Sequence, residues 1–351
     1  MTEIPETLNQ LLSTPGPSGY EAKAAAVWRE AASFAQIETD KLGSSIARVP
    51  GSNEDALVAV VGHIDEIGLA ITHIDEKGFA WFTTVGGWDP QILVGQRVTV
   101  DTKDGPVPGV IGRKPIHLLK EEQRKKVVEI EGLHIDIGAA DRDEALGLVR
   151  IGDSVVIDAQ PLSLAGDRLA SRSMDNRLGS YVALEYARRC HERGGHAVSV
   201  AGVAAVQEEI GINGAQTSAY LLQPTIAVVV DVTHATDAPG VDEKENGSHP
   251  LGSGPVIGRG PTLAPKVFEL LVETAEREKI EYSIETSGRR TATDADAYQI
   301  SRAGIPTGLV SIPLRYMHSP VELVDLRDVE AAIELLVAFA TGLDPDVDLS
   351  R

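Results

Sequence analysis

The sequence predicts an α/β fold, a mostly parallel sheet flanked by helices with a small β-rich domain inserted into it. Three observations carry this prediction. Four apolar runs long enough for buried strands recur along the chain, at residues 57–61, 203–206, 226–230 and 305–312. Amphipathic helical patterns separate most of them, and strands that alternate with helices imply a largely parallel sheet. Between residues 69 and 160 that alternation stops, and short β-type segments follow one another without helices of matching length.

Taken in order, residues 6–12 carry a weak helical pattern that ends at Thr14-Pro15-Gly16-Pro17-Ser18-Gly19, a dense stop-and-turn signal. An amphipathic helix follows to about Ser33, and a strand over 56–61 leads into Gly62-His63-Ile64-Asp65. Within the insertion, strands are expected at 79–84, 97–100, 107–111 and 154–157. The charged run 120–126 reads as a solvated face, and 142–146 as a short helix capped by Asp141. Beyond it come a helix over 177–193, the strand ending near Glu209, and a helix over 214–222. The strand ending at Asp231 follows, then a Gly/Pro-rich loop over 238–265 that carries Asp242, Glu243 and Glu245. Helices are expected at 265–279, 294–303 and 326–340, with strands at 282–286 and 305–312. No internal repeat or low-complexity segment interrupts this order.

With 351 residues the chain can bury a large core, as one big α/β domain or as two domains. Lys plus Arg number 32 against 52 Asp plus Glu, a formal net charge of −20. That balance repels nucleic acid and anionic membrane surfaces, which are discounted as partners. Cys190 is the one cysteine, so no intrachain disulfide can form. The N-terminus lacks a basic segment followed by an apolar one, and no apolar run reaches membrane-spanning length. The expected location is cytoplasmic.

The chemistry sits where the strands end. Residues 57–61 lead to His63 and Asp65, 203–206 to Glu208 and Glu209, 226–230 to Asp231, and 305–312 to His318. Asp175 stands at a helix start. Carboxylates at the end of a buried strand are costly unless something cationic receives them. Ligands also bind parallel sheets outside the carboxyl ends of the strands. Imidazole and carboxylate donors without cysteine suit zinc, cobalt or manganese in an open catalytic site. Two metals about 3.5–4 Å apart need a bridging carboxylate, ligands on each side and a free carboxylate as base. Five ligands and one base can be drawn from this set. Neighbouring strand residues point to opposite faces, so Glu208 and Glu209 share one site only if the chain turns there, and Gly211 permits that. The same geometry weakens a glycosidase, whose two carboxyl groups must face each other across a sugar. Taken singly, each residue has a plainer reading: His63 as a structural histidine, Asp175 as a helix cap, Asp231 as a turn residue.

The ordered set of motifs is more specific than any one of them. Thr14-Pro15-Gly16-Pro17-Ser18-Gly19-Tyr20-Glu21, Gly62-His63-Ile64-Asp65-Glu66-Ile67-Gly68, Met174-Asp175-Asn176-Arg177, Glu208-Glu209-Ile210-Gly211, Asp231-Val232-Thr233-His234-Ala235-Thr236-Asp237 and Met317-His318-Ser319-Pro320 occur in that order. The chain thereby resembles, over essentially its whole length, the tetrahedral-aminopeptidase family of dinuclear metallopeptidases. That family includes glutamyl, leucyl, lysyl and deblocking aminopeptidases, some under an endoglucanase M label.

The resemblance implies a zinc-peptidase type catalytic domain over residues 1–68 and 161–351, with 69–160 as a PDZ-like dimerisation domain. It implies two divalent ions per subunit. His63 and Asp231 would hold one, Glu209 and His318 the other, with Asp175 bridging. Glu208 would be the general base, and Asp65 would orient His63. The expected activity is release of N-terminal residues from short peptides. In it, a water bridging the metals would be deprotonated toward Glu208, which returns the proton to the leaving amine. The family's usual assembly is a hollow tetrahedral dodecamer built from dimers. One departure stands out: where the family commonly has Gly-Gly-Thr-Asp-Ala, this chain has Thr291-Ala292-Thr293-Asp294-Ala295.

Three rivals remain. A dinuclear amidohydrolase such as a deacylase or deblocking enzyme would use the same fold without needing a free amine. A carbohydrate hydrolase would act on glucans. A non-catalytic binding protein would keep the fold, although the intact ligand set and Glu208 argue against that. The preferred first residue stays open, since Asp242, Glu243 and Glu245 would favour basic side chains and Arg259, Arg289 and Arg290 acidic ones. His234 and Asp237 are near enough to Asp231 to support it.

Overall fold

In a computed structural model of the chain, which describes residues 3–350, the four apolar runs become the centre of one eight-stranded sheet. The chain opens with β1 (Gln36–Thr39), β2 (Ser45–Val49) and β3 (Asn53–His63). Six strands then fill the insertion: β4 (Gly68–Ile74), β5 (Ala80–Val85), β6 (Arg97–Thr102), β7 (Gly105–Arg113), β8 (Leu133–Asp136) and β9 (Ser154–Ile157). After it come β10 (Leu162–Ser163), β11 (Arg168–Ser171), β12 (Val198–Ala205) and β13 (Ile226–His234). The last are β14 (Val256–Arg259), β15 (Ser283–Thr286), β16 (Thr307–Leu314) and β17 (Glu322–Asp325).

The large sheet has the order β1-β2-β12-β3-β13-β16-β14-β15. Its centre, β12, β3, β13 and β16, is parallel throughout, as the alternation of strands and helices predicts. Antiparallel pairings lie toward the edges, β1 with β2, β2 with β12, and β14 with β16. The short turn between β1 and β2 permits no other direction.

Both faces of this sheet are covered, which is why its strands read as continuous apolar runs rather than alternating ones. Along β3, Val58 and Val60 face a core shared with Leu11, Trp28, Leu178, Val182 and Leu336. Leu57, Ala59 and Val61 face the other, with Val203, Val229, Ala215 and Tyr298. The helix Met174–Arg193 lies so close to the sheet that a Cβ on Gly62 would sit 2.1 Å from the Gly179 backbone. No larger residue fits at Gly62 without moving that helix.

The insertion closes into a barrel in the order β4-β5-β8-β7-β6-β9. It has its own apolar centre, including Leu69, Ile71, Val98, Ile111, Ile135 and Val155. Its helix Arg142–Leu148 is capped as expected, with Asp141 accepting from the Glu144 amide at 3.0 Å. The charged stretch near residue 121 is exposed. A third, small sheet joins β10, β11 and β17.

One expected helix is cut short. The pattern over 294–303 yields only Ala295–Tyr298; turn bonds carry the chain on to Ser301, and Arg302 and Gly304 then take positive φ (53° and 101°) ahead of Pro306. A chain in that conformation cannot continue a right-handed helix.

Candidate metal centre

Register places the first candidate ligands. In the parallel sheet Ala205 pairs with His63, and Val229 pairs with Val61, so Asp231 lies level with His63 on the next strand. Beyond β12 the chain turns where the two glutamates require it. Gln207 has φ 57° and Gly211 φ 133°, and the Glu208 carbonyl accepts from the amides of Gly211 and Ile212, both at 2.9 Å. Glu208 and Glu209 therefore leave the strand's alternation.

Asp175 occupies a break at the start of its helix. Ser173 has φ 59°, and Asp175 and Asn176 lie outside helical φ/ψ. The Asn176 side chain fastens this break, donating to the Val230 carbonyl at 2.8 Å and accepting from the Gly179 amide at 2.9 Å. The Asp175 carboxylate does not cap the helix. One of its oxygens is 3.2 Å from His63 Nε2 and the other 3.3 Å from His318 Nε2. His318 Nε2 is also 3.3 Å from Glu209 Oε1. Glu208 Oε2 approaches His63 Nε2 at 3.8 Å.

Asp65 organises the other side. It lies 3.4 Å from His63 Nδ1 and accepts from the amides of Glu208 and Glu209, both at 3.1 Å, and from the Ser18 hydroxyl. The Asp65 backbone carbonyl lies nearer still to His63 Nδ1, at 3.2 Å, so one buried residue contacts both the histidine and the glutamate turn.

The centre carries more negative charge than its two imidazoles offset. Burial, then Asp231, Asp294 and Glu209, push Glu208 up to about 10 against the opposing pull of His63. Burial likewise raises Glu209 and Asp231. Asp175 is held well below the usual range, because His318 and His63 hydrogen-bond it and outweigh its burial. Asp175 raises His318 to about 11, with Glu209 adding to it. His63 rises too, because Asp65 and Asp175 overcome its burial. Buried carboxylates forced to hold protons are the electrostatic mark of a cation site. His63, Asp175 and Glu209 can each present a ligand atom within 4.8 Å of the others. A divalent cation fits this donor set.

Several residues here were not visible as site residues in the sequence. Glu322 is fully buried behind Asp175 and His318. Asp294 is 1% exposed, neither of its oxygens has a hydrogen-bond partner, and burial raises it to about 7. Arg177 is fully buried, donating to the carbonyls of Leu11, Thr14 and Ile64 and pairing with Glu66 at 3.0 Å, while Arg172 pairs with the other Glu66 oxygen. This network ties the 14–19 turn to the strand end that carries His63. The signal for Arg177 and Glu66 was their place inside the quoted motifs; Glu322, just after Pro320, gave none.

Other candidates lie outside the centre. Asp237 pairs with Arg315 at 3.0 Å, and His234 is exposed. Asp242, Glu243 and Glu245 are exposed, as are Arg289 and Arg290, while Arg259 pairs with Glu269 at 3.5 Å. A cleft of about 120 Å³ opens beside Asp231, lined by Thr233, Glu285, Thr291, Thr293 and Ser311 among others. Between its lining residues Thr291 and Thr293, Ala292 adopts φ 58°, the conformation glycine favours, with its amide held by Asp296 at 2.9 Å. The replacement of the family's glycine therefore leaves a glycine-like bend.

Comparisons with known proteins identify the family. The profile of the M42 glutamyl aminopeptidases matches residues 43–335. The lysyl aminopeptidase of Pyrococcus furiosus is 35% identical, with 97% of each chain covered. Among solved structures, the TET aminopeptidase of a marine-sediment Thaumarchaeota archaeon has a TM-score of 0.91 at 35% identity, covering 97% of this chain and 96% of that one. The TET1 peptidase of Pyrococcus horikoshii, which can assemble into a tetrahedron or a large octahedral shell, has a TM-score of 0.85 at 33% identity, covering 96% and 99%. This chain is a peptide hydrolase and belongs to the M42 aminopeptidase family.

Proposed function

We propose that this protein is a dinuclear metal-dependent aminopeptidase that releases N-terminal residues from short peptides. The observation that carries the proposal is Asp175, whose two oxygens reach His63 and His318 separately at 3.2 and 3.3 Å. On this reading His63 and Asp231 hold one divalent cation, Glu209 and His318 the other, and Asp175 both. Zinc suits the donors best, and cobalt and manganese suit them too. Divalent ions held by these residues would supply Lewis-acid polarisation of the scissile carbonyl and activation of the attacking water.

Glu208 serves as general base. It is part-buried, carries no ligand assignment in this reading, and lies 3.8 Å from His63 Nε2, where it can take a proton from water and pass it to the leaving amine. Asp65 holds His63 and the Glu208–Glu209 turn in place. The free amine of the substrate is received among the surrounding carboxylates, which limits cleavage to the first residue.

Residues 1–68 and 161–351 form the catalytic domain, and 69–160 a PDZ-like dimerisation domain. The separate apolar centre of the barrel supports that division, and the exposed Ile116, Leu118 and Val127 supply apolar surface for a second copy. The tetrahedral or octahedral assembly of the Pyrococcus horikoshii relative supports a homo-oligomer, which we read as dimers assembling into a tetrahedral dodecamer. Cys190 is buried and unpaired, in keeping with a cytoplasmic placement.

The deciding experiment is hydrolysis of matched free-amine and N-acetylated peptides by chelated protein and by protein reloaded with zinc or cobalt. Metal-dependent release of the first residue from the free-amine set alone is expected. Cleavage of the acetylated set would replace this reading with a deacylase or deblocking enzyme.

A further inference from the structure

We infer that Glu322 is a positioning residue that holds Asp175 and His318 in place through their backbones, and that it thereby governs one of the two metal positions selectively. The inference rests on the two-cation reading above. Glu322 is 2% exposed. Its Oε1 accepts from the His318 amide at 2.8 Å and its Oε2 from the Asp175 amide at 3.2 Å. One carboxylate joins the main chains of two residues 143 positions apart in sequence, numbered 175 and 318.

The strand pairing explains how it gets there. Glu322 opens β17 and pairs with Ser171, the last residue of β11. From Ser171 the chain reaches Asp175 in four residues, and from His318 it reaches Glu322 in four. The β11–β17 pair therefore brings both ligand segments to one point, and the side chain there accepts from both.

Both segments need such an acceptor. His318 has φ 58° and Tyr316 φ 61°, so His318 lies in a left-handed turn outside any strand ladder. Asp175 lies two residues after Ser173 (φ 59°) at φ −77°, ψ 104°, in the first turn of its helix, where an amide has no intrahelical partner. Conformations of this kind persist where the surroundings over-determine them. The remaining ligands are held by other means. His63 and Asp231 are carried by the parallel centre of the sheet, and Glu209 by its amide bond to Asp65. Losing Glu322 would loosen His318 most and Asp175 second. The position formed by Glu209 and His318 then weakens before the one formed by His63 and Asp231.

Replacement by glutamine tests this, because one oxygen becomes an amide that faces a backbone donor. Metal-free wild-type and Glu322→Gln protein are titrated with zinc by calorimetry, and bound zinc per chain is measured after gel filtration. Wild type is expected to bind two ions. The variant is expected to bind one ion within a few-fold of wild-type affinity and the second about 10–100-fold more weakly. A role confined to overall stability would lower the melting temperature of the metal-free protein without separating the two affinities. Glu322→Asp, which keeps the charge and shortens the reach, gives the same readout if the glutamine variant does not fold. Two ions bound at wild-type affinity in the variants, or both sites weakened equally, would overturn the inference alone. Fewer than two ions in wild type would overturn the two-cation reading and this inference with it.

Discussion

Among single residues, Glu208 and Asp65 have separable roles, and their substitutions should fail differently. Glu208→Gln keeps the shape and the hydrogen bond that the residue 208 backbone amide donates to Asp65, but cannot take a proton. It should lower kcat by about 10²–10⁴-fold while leaving metal stoichiometry and KM close to wild type. Activity near wild type would remove Glu208 as base. Asp65→Asn loses acceptor capacity where three donors converge, the two glutamate amides and the Ser18 hydroxyl, with His63 alongside. It should weaken metal affinity or activity by about 10–100-fold. Metal titration of the variant separates this from a loss of chemistry alone. The identities of these residues were legible because strand ends and the quoted motifs exposed them. Asp175 was legible as a residue but not in its geometry, because only the backbone break at 173–176 turns its carboxylate away from the helix it precedes.

At the level of elements, apolar runs located the four central strands, and turn chemistry located the segment at 14–19. The loop around Ala292 shows where a family pattern and a local conformation part. Alanine at φ 58° is strained relative to glycine, so Ala292→Gly should stabilise the protein by about 0.5–1 kcal/mol. Denaturant midpoints of the two proteins at equal slope would check it, and an unchanged or lower midpoint would contradict the strained bend. The shortened helix at 295–298 shows the limit of periodicity: the pattern continued, but Arg302 and Gly304 turned the chain. Likewise the insertion's strands could be counted only in part, since β4 and β8 lack a run long enough to stand out from the turns beside them.

For the whole molecule, the assembled centre stores charge that the metal-free protein can relieve only with protons. Glu208 is raised to about 10, Asp294 to about 7 and His318 to about 11, with Glu209, Asp231 and His63 also raised. In the unfolded chain the carboxyls return to about 4 and the imidazoles to about 6.5. Between these sets of values the folded protein binds more protons than the unfolded one, so its stability falls as pH rises. Chelated protein should therefore melt at progressively lower temperature from pH 6 to pH 9. Zinc-loaded protein should show a flatter profile, because the cations replace the protons. Thermal melts of both forms across that range check the sign, and a chelated protein that gains stability with pH would contradict it.

The α/β class, the parallel centre of the sheet, the inserted β segment and the residues that meet at the strand ends could all be read from the order of residues. Those features are local or periodic: an apolar run, a turn residue or a motif keeps its meaning wherever the chain later goes. Tertiary structure alone decided that one Asp175 oxygen faces His63 and the other His318, that Arg177 and Glu66 form a buried pair, and that Glu322 joins two distant backbones. Each of these depends on segments remote in sequence packing at set distances and on backbone conformations outside helix and strand, and neither composition nor periodicity encodes them.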